Sequence, residues 1–440
     1  MNKPKQQVRA VRAGWLACLI VLLISACAPA QAQTRLIVRD SLGLPGINLT
    51  CLLTGCTVVT GLGDPNGQLF VVTFPPFLNP VFAILRLNLQ TGILSVELDQ
   101  VVKQQEAYST GTPSYLTDKT PVSYYGTTVW HGYVAQPGNQ LVRTDQTHSA
   151  FNAAGAGVTV AVIDTGVDVN HPVLKGVLVN GYDFTRNTPG GNEDVDVTAN
   201  SNQSQATAAT LQQRTVAVLD QRSVAVLDGG PYSDFGHGTM TAGLVHLVAP
   251  QAKIMPLKVF TANGAANNSD ILRAIYYAVK NGAQVMNMSF NYTSSSAELA
   301  RAIQYANSRG VISVASAGND GQETVVYPGG LLGVIDVAST SDNDIQSTFT
   351  NYGAPPVFIA APGEGIETTY PWGTYAAGWG TSFSTPLVAG TAAVMMGGNS
   401  NCPNWSVPIG LADAQYIGNP DMGFGRLDTY QAVQACKLLP

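Results

Sequence analysis

The chain has 440 residues, a net charge of −6 and only 11% charged residues. That length holds a catalytic-sized domain of roughly 250 to 300 residues plus an appendage. Thin, mildly acidic charge with no Lys/Arg run and no basic–aromatic interleaving excludes a nucleic-acid binder, and 45 glycines point to a compact, loop-rich globular protein.

Residues 1–32 read as a signal segment. Lys3, Lys5, Arg9 and Arg12 precede an apolar stretch, Trp15 to Ile24, that is too short to span a bilayer comfortably. Ala28-Pro29-Ala30 and Ala30-Gln31-Ala32 both fit small-x-small cleavage, while Ile24-Ser25-Ala26-Cys27 resembles a bacterial lipoprotein box. Either route takes the protein out of the cytoplasm. Secretion is preferred, with a lipid anchor on Cys27 as the alternative. Beyond Cys18 and Cys27, four cysteines remain and allow three pairings. Cys51–Cys56 with Cys402–Cys436 is the simplest, because the first two lie far upstream of the others. No Cys-x-x-Cys or Cys/His cluster indicates zinc.

Residues 33–102 read as a small α+β unit. Strands are expected at Arg35–Arg39, Cys56–Gly61 and Gln68–Phe74, the last two flanking the turn Gly63-Asp64-Pro65-Asn66-Gly67. Asn79 to Leu89 follows as an amphipathic helix with Phe82, Leu85, Leu87 and Leu89 on its apolar face, then a strand from Ile93 to Val102. Polar, Pro-bearing residues 103–128 read as a linker.

The larger domain, 129–440, alternates strands and helices. Apolar runs at Gly157–Ile163, Lys253–Val259, Gln284–Met288, Val311–Ala315, Val334–Val337 and Val357–Ala360 look like buried parallel strands. Helices are expected from Asn268-Ser269-Asp270 to Lys280 and from Ala297 to Ser308, each stopped by a glycine. The alternation predicts an α/β fold, a three-layer parallel sheet with helices on both faces. One Asn-, Gln- and Ser-rich segment, 187–228, breaks the pattern and reads as a surface insertion. It holds a two-copy repeat, Val216-Ala217-Val218-Leu219-Asp220 and Val224-Ala225-Val226-Leu227-Asp228, too short for a solenoid.

Four short stretches carry chemistry. Ser382 lies in Gly380-Thr381-Ser382-Phe383-Ser384-Thr385-Pro386, ahead of an apolar run, as a nucleophile at the start of a buried helix would; Pro386 suits a first helical turn. His237 sits between glycines before a small-residue run. Asp164 ends a buried strand, where a lone carboxylate needs a partner. Asn319 follows the strand Val311–Ala315 in Ala317-Gly318-Asn319. Taken singly, each is more often a loop serine, a helix-start histidine, a capping aspartate or a turn asparagine.

Together, Asp164-Thr165-Gly166, His237-Gly238-Thr239, Ala317-Gly318-Asn319 and Gly380-Thr381-Ser382-x-x-Thr385-Pro386 resemble the motifs of the subtilisin-like serine proteases, in that family's order. The resemblance covers about residues 150–436. It implies a subtilisin-like fold and a secreted serine endopeptidase. Ser382 would be the nucleophile, His237 the base, Asp164 its orienting acid, and Asn319 the oxyanion donor beside the Ser382 N–H. It implies substrate strands along Ser289-Phe290-Asn291 and Ala315-Ser316-Ala317-Gly318, neutral and small to apolar, with Asn291 narrowing the cleft where a glycine is common. Polypeptides would be the substrates. The 33–102 unit would be an inhibitory prodomain whose tail enters the site, making the protein a zymogen; a permanent N-terminal interaction domain is the competing view. Met240 and Leu387 stand where many members have histidine, and neither is a triad position. No cofactor is implied. Calcium stays open with no position assignable, since an Asp several members carry would be Val173 or Leu174 here. The rival class is a binding protein that keeps the fold without catalysis, against which the intact quartet of residues speaks.

Overall fold

The computed structural model describes residues 33–104, 114–198, 216–218 and 233–438. The leader with Cys18 and Cys27, and most of the two-copy repeat, lie outside them. The described residues form two compact units, 33–61 with 66–99, and 62–65 with everything from 100 onward.

The small unit is a four-stranded antiparallel sheet in the order Thr57–Gly61, Leu69–Phe74, Thr34–Asp40, Ile93–Leu98. Its core joins Leu36, Val38, Phe70, Val72 and Phe74 to Ile47 and Leu87 from two helices. The first helix, Gly43–Thr54, has no periodic signal: it is apolar all round and carries Pro45 and Gly46. Gly55, at φ 80°, ends it, and the Cys51–Cys56 disulfide staples that end. The second helix, Pro80–Asn88, is opened by Asn79, whose side chain accepts from the Val81 N–H at 2.8 Å. Its buried face is Ala83 and Leu87, whereas Phe82, Leu85 and Leu89 are exposed. Three of the four residues expected inward therefore do not point there, because only the 83/87 spacing meets the sheet.

The expected strand Ile93–Val102 is two strands. The first ends at Leu98, where the following Asp99 pairs with Arg35 at 2.9 Å. The second, Val101–Lys103, runs antiparallel to Ala265–Asn267 in the large unit. The 103–128 linker is likewise corrected. Pro121–Tyr124 and Thr127–Trp130 form a hairpin, turned by Tyr125 and Gly126 at φ 45° and 86°. It is held by apolar packing, with Trp130 stacked on Tyr375 at 4.5 Å.

The large unit is a three-layer α/β fold. Its sheet runs Thr188–Pro189, Tyr182–Asp183, Lys253–Lys258, Thr159–Asp164, Val285–Met288, Ile312–Ser316, Val334–Thr340, Ile359–Pro362, parallel throughout except for the first pair. On one face the helices His237–Val248 and Thr381–Met396 bury Leu244, Val248, Leu387 and Val388 against Val160, Val162, Val314 and Val337. Helices Asn268–Lys280 and Ala297–Ser308 pack on the other. The second disulfide, Cys402–Cys436, ties the segment after the Thr381 helix to the last helix, Thr429–Leu438. So both cysteine pairs are the sequence-near ones.

The surface-insertion reading of 187–228 fails over its first part. Gly190 and Gly191, at φ 128° and 109°, turn the chain so closely under Pro256 that a Cβ at Gly191 would meet the Pro256 carbonyl. Glu193 then enters the interior and is fully buried. Farther on, Val216–Val218 pairs antiparallel with Thr374–Gly378.

Candidate active site

Asp164 is the last residue of its strand, at the C-terminal edge of the parallel sheet, and is fully buried. A carboxylate there is tolerable only if donors meet it. Three do. His237 Nδ1 lies 2.8 Å from Oδ1, the Thr165 N–H donates to the same oxygen at 2.7 Å, and the Thr241 hydroxyl donates to Oδ2 at 3.2 Å.

His237 opens the helix His237–Val248. Its neighbours must be glycine: a Cβ on Gly236 would strike the Tyr370 ring and one on Gly238 the Gly166 carbonyl. Because Nδ1 donates to Asp164, Nε2 is the proton-accepting nitrogen. Burial opposes the imidazolium, but the Asp164 carboxylate, helped by Asp234 and Glu193, outweighs it and holds the His237 pKa above its ordinary value. This is the electrostatic setting of a general base.

Ser382 is the second residue of the helix Thr381–Met396. Pro386 is the sixth residue of that helix, not in its first turn, so it removes the N–H that would bond the Ser382 carbonyl. The Ser289 hydroxyl takes its place, donating to that carbonyl at 2.9 Å. In return the Ser382 hydroxyl donates to the Ser289 carbonyl at 3.1 Å rather than to His237. The structure therefore joins Asp164 to His237, and Ser382 to Ser289, by direct hydrogen bonds; a nucleophile–base bond of this kind commonly tightens only with substrate in place.

Asn319 is oriented by Thr381. Both the Thr381 N–H and its hydroxyl donate to Asn319 Oδ1 at 2.9 Å. Since the Thr381 N–H can only donate, the amide oxygen faces it and the NH₂ end is turned away from it. A helix N-terminus with an adjacent amide donor can stabilise negative charge.

The expected substrate strands are placed unevenly. Ser289 supports Ser382 directly. Phe290 is buried against Phe260, with ring centroids 5.1 Å apart, and Asn291 is buried next to Gly318. Ala315 and Ser316 lie fully buried in the strand Ile312–Ser316, which is shifted one residue toward the C-terminus from the expected Val311–Ala315. Ala317 is buried beneath Tyr352, and Gly318, at φ 98°, brings its N–H to Thr381 Oγ1 at 3.3 Å.

Three residues at the site have no local signal in the sequence. Gln104 follows the Val101–Lys103 strand, and its N–H donates to the Gly264 carbonyl at 3.0 Å. Its side-chain nitrogen is 3.4 Å from both Asp164 Oδ1 and His237 Nδ1. Glu193 and Lys258 reach the same turns from inside the protein, from distant chain segments. Among the described residues, no group of three or more His, Cys, Asp or Glu side chains could hold a metal ion. Val173 and Leu174 are packed in the apolar core, so that position offers no carboxylate.

The model of the Subtilase family matches residues 155–408. The chain is 33% identical to thermitase of Thermoactinomyces vulgaris over 293 residues, 64% of this chain and 90% of that protein. It is 32% identical to a thermophilic serine proteinase of Bacillus sp. (strain AK1) over 356 residues, 80% of this chain and 78% of that one. Among solved structures it resembles fervidolysin of Fervidobacterium pennivorans, described as a keratinolytic enzyme related to subtilisin, with a TM-score of 0.69 and 22% identity. That likeness covers 92% of this chain and 61% of fervidolysin, and bears on the fold alone.

Proposed function

The chain belongs to the subtilase family of serine endopeptidases, and from that premise we propose that Asp164, His237 and Ser382 are its triad and Asn319 its oxyanion donor. Ser382 Oγ attacks the peptide carbonyl while His237 Nε2 takes its proton and returns it to the leaving amine. Asp164 holds the imidazole with Nε2 outward and stabilises the imidazolium. The Asn319 NH₂ and the Ser382 N–H receive the oxyanion. The observation that carries this reading is the buried Asp164–His237 bond of 2.8 Å, at the edge of the sheet where Asn319 and the Ser382 helix begin.

The protein is exported and made as an inhibited precursor, with 33–102 as the removable part. Support comes from the extended segment after that unit. Val101–Lys103 lies along Ala265–Asn267 as an added strand, Val102 is buried, and Gln104 rests on the Asp164–His237 pair. Backbone pairing of this kind is how an extended peptide docks on a sheet edge, so the chain occupies its own cleft as a substrate would.

The test is labelling of the protein from residue 33 onward with an activity-directed phosphonate, beside Ser382→Ala, read by intact-mass and N-terminal analysis. The expected result is an adduct on Ser382 and a new N-terminus one or two residues past Gln104, with neither in the variant. A labelled protein that keeps residues 33–104 would refute the precursor reading. A folded protein that stays unlabelled after residues 33–104 are cut away would refute catalysis.

A further inference from the structure

We propose that Glu193 is a positioning residue for the reaction, a single buried carboxylate that ties the turn after Asp164 to the turn around His237; this rests on the reading of those two residues as catalytic. Oε2 accepts from the Thr165 hydroxyl at 3.1 Å and from the Gly236 N–H at 2.9 Å. Oε1 accepts from the Thr239 hydroxyl. Thr165 follows Asp164 directly, and Gly236 precedes His237. Each hydroxyl has its own oxygen already engaged: Thr165 Oγ1 accepts from the Gly238 N–H at 2.9 Å, and Thr239 Oγ1 from the Asp168 N–H at 2.7 Å. The Gly236 N–H can only donate, so Oε2 accepts there whether or not the acid carries its proton. Three hydrogen bonds therefore converge on Glu193 and join the two turns.

A second charge holds the same turn from the other side. Lys258 is fully buried and pairs across the sheet with Asp164. Its Nζ donates to the Thr165 carbonyl, to the Phe260 carbonyl and to Asp196, each at 2.7 Å. Asp196 is fixed in turn by Arg186. Glu193 and Asp196 both come from the segment that the sequence presents as a polar insertion. A fully buried acid and a fully buried lysine are costly groups to keep, and both are spent on one backbone turn that carries Asp164.

Burial pushes the Glu193 carboxyl up to about 8, with Asp194 adding to the rise, against the Thr239 and Gly236 donors and Lys258. The other charges about it are Asp164, His237 and Asp234, with Asp168 beside Asp194 and the Tyr370 hydroxyl on the far side. Glu193 is therefore a neutral acid below about pH 8 and an anion above it, where its charge favours the His237 imidazolium.

The test is Glu193→Gln. The amide keeps the shape but turns one acceptor into a donor facing a donor, and it removes the charge. Per site titrated with the phosphonate, kcat should fall about tenfold with KM unchanged, the size of one lost buried hydrogen bond. Because Glu193 ionises only near pH 8, the acid limb of kcat/KM should stay in place, and an inflection near pH 8 in the parent profile should vanish. Glu193→Asp, which keeps a titratable carboxyl but is one methylene short, should lose kcat and keep an inflection. If Glu193→Gln does not fold, Thr165→Val removes one of the three donors and should lower kcat per titrated site in the same way. Normal kcat and a pH profile like the parent's per titrated site, whatever the loss in melting temperature, would reduce Glu193 to a fold residue and overturn the proposal. Failure of the parent protein itself to label on Ser382 would remove the catalytic reading and this one with it.

Discussion

The two halves of the proposed active site are held by different chemistry. The Asp164–His237 half is braced by buried ionisable groups: Glu193, Lys258 and Asp196 pin the turns on either side of the pair. The Ser382–Asn319 half is braced by small neutral groups. Ser289 exchanges hydrogen bonds with Ser382, and the N–H and hydroxyl of Thr381 hold Asn319. The difference follows the work asked of each half. On the proposed reading the first tunes a proton transfer, which a nearby charge does at a distance. The second must set donors around a charge that appears only in the transition state, where any permanent anion would repel it.

This contrast can be broken most sharply at Asn319. Asn319→Ala removes the proposed oxyanion donor and should cost about 10² to 10³ in kcat with KM little changed. Because the alanine alters no charge, the acid limb of the pH profile should stay where it is. Glu193→Gln is expected to differ in kind, a smaller loss of kcat with the inflection near pH 8 removed. Steady-state kinetics from pH 5 to 10 on both variants decide the matter; loss of that inflection in Asn319→Ala would erase the distinction between the halves.

The same contrast explains what could be read from the sequence. Of the four proposed site residues, His237 and Asn319 stand out in the sequence because their neighbours need special local backbone. Gly236 and Gly238 admit close neighbours on either side of His237, and Gly318 takes φ 98° ahead of Asn319. The apolar strand Thr159–Asp164 and the Ala297–Ser308 helix are legible for the same reason, since their patterns are local. Gln104, Glu193 and Lys258 are not. Each acts on a residue far away in the chain, 60 positions in the case of Gln104 and Asp164, and a lone Glu after two glycines looks like any polar loop. The Gly43–Thr54 helix escaped for a third reason: it is apolar on all sides, so it has no face to detect.

Next in size is the loss expected in the Ser382 half when its outer support is cut. The helix carrying Ser382 ends at Met396, and the Cys402 N–H bonds back to the Met395 carbonyl. The Cys402–Cys436 disulfide closes a loop of sequence separation 34. On a chain-entropy basis, removing it costs about 3 to 4 kcal/mol. Replacing both cysteines by alanine in a Ser382→Ala background, which prevents self-digestion, should lower the melting temperature measurably. Made in the active protein, the same change should leave kcat per titrated site intact, since no group in contact with Ser382 or Asn319 has moved. A fall in kcat would mean that the neutral half depends on its periphery as the charged half depends on Glu193.

The smallest effect is expected at Asp336, an acid on the neutral side that lacks the donors Glu193 enjoys. It lies opposite Ala315 in the strand next to the one that leads to Asn319, and it is almost wholly buried. Among the described residues no donor meets either carboxyl oxygen in good hydrogen-bond geometry, and burial, offset only in part by the nearby Val337 N–H, pushes its pKa up to about 7. The unfolded chain releases this proton near pH 4, whereas the folded protein keeps it until about pH 7. Stability from this group therefore falls as pH rises between those values and is level above them. Asp336→Asn has no proton to lose. Measured by thermal melting in the Ser382→Ala background, the variant should gain on its parent by a few degrees between pH 4.5 and pH 8. An equal difference at both pH values would show that Asp336 is ionised in the folded state and that buried charge supports both halves of the site.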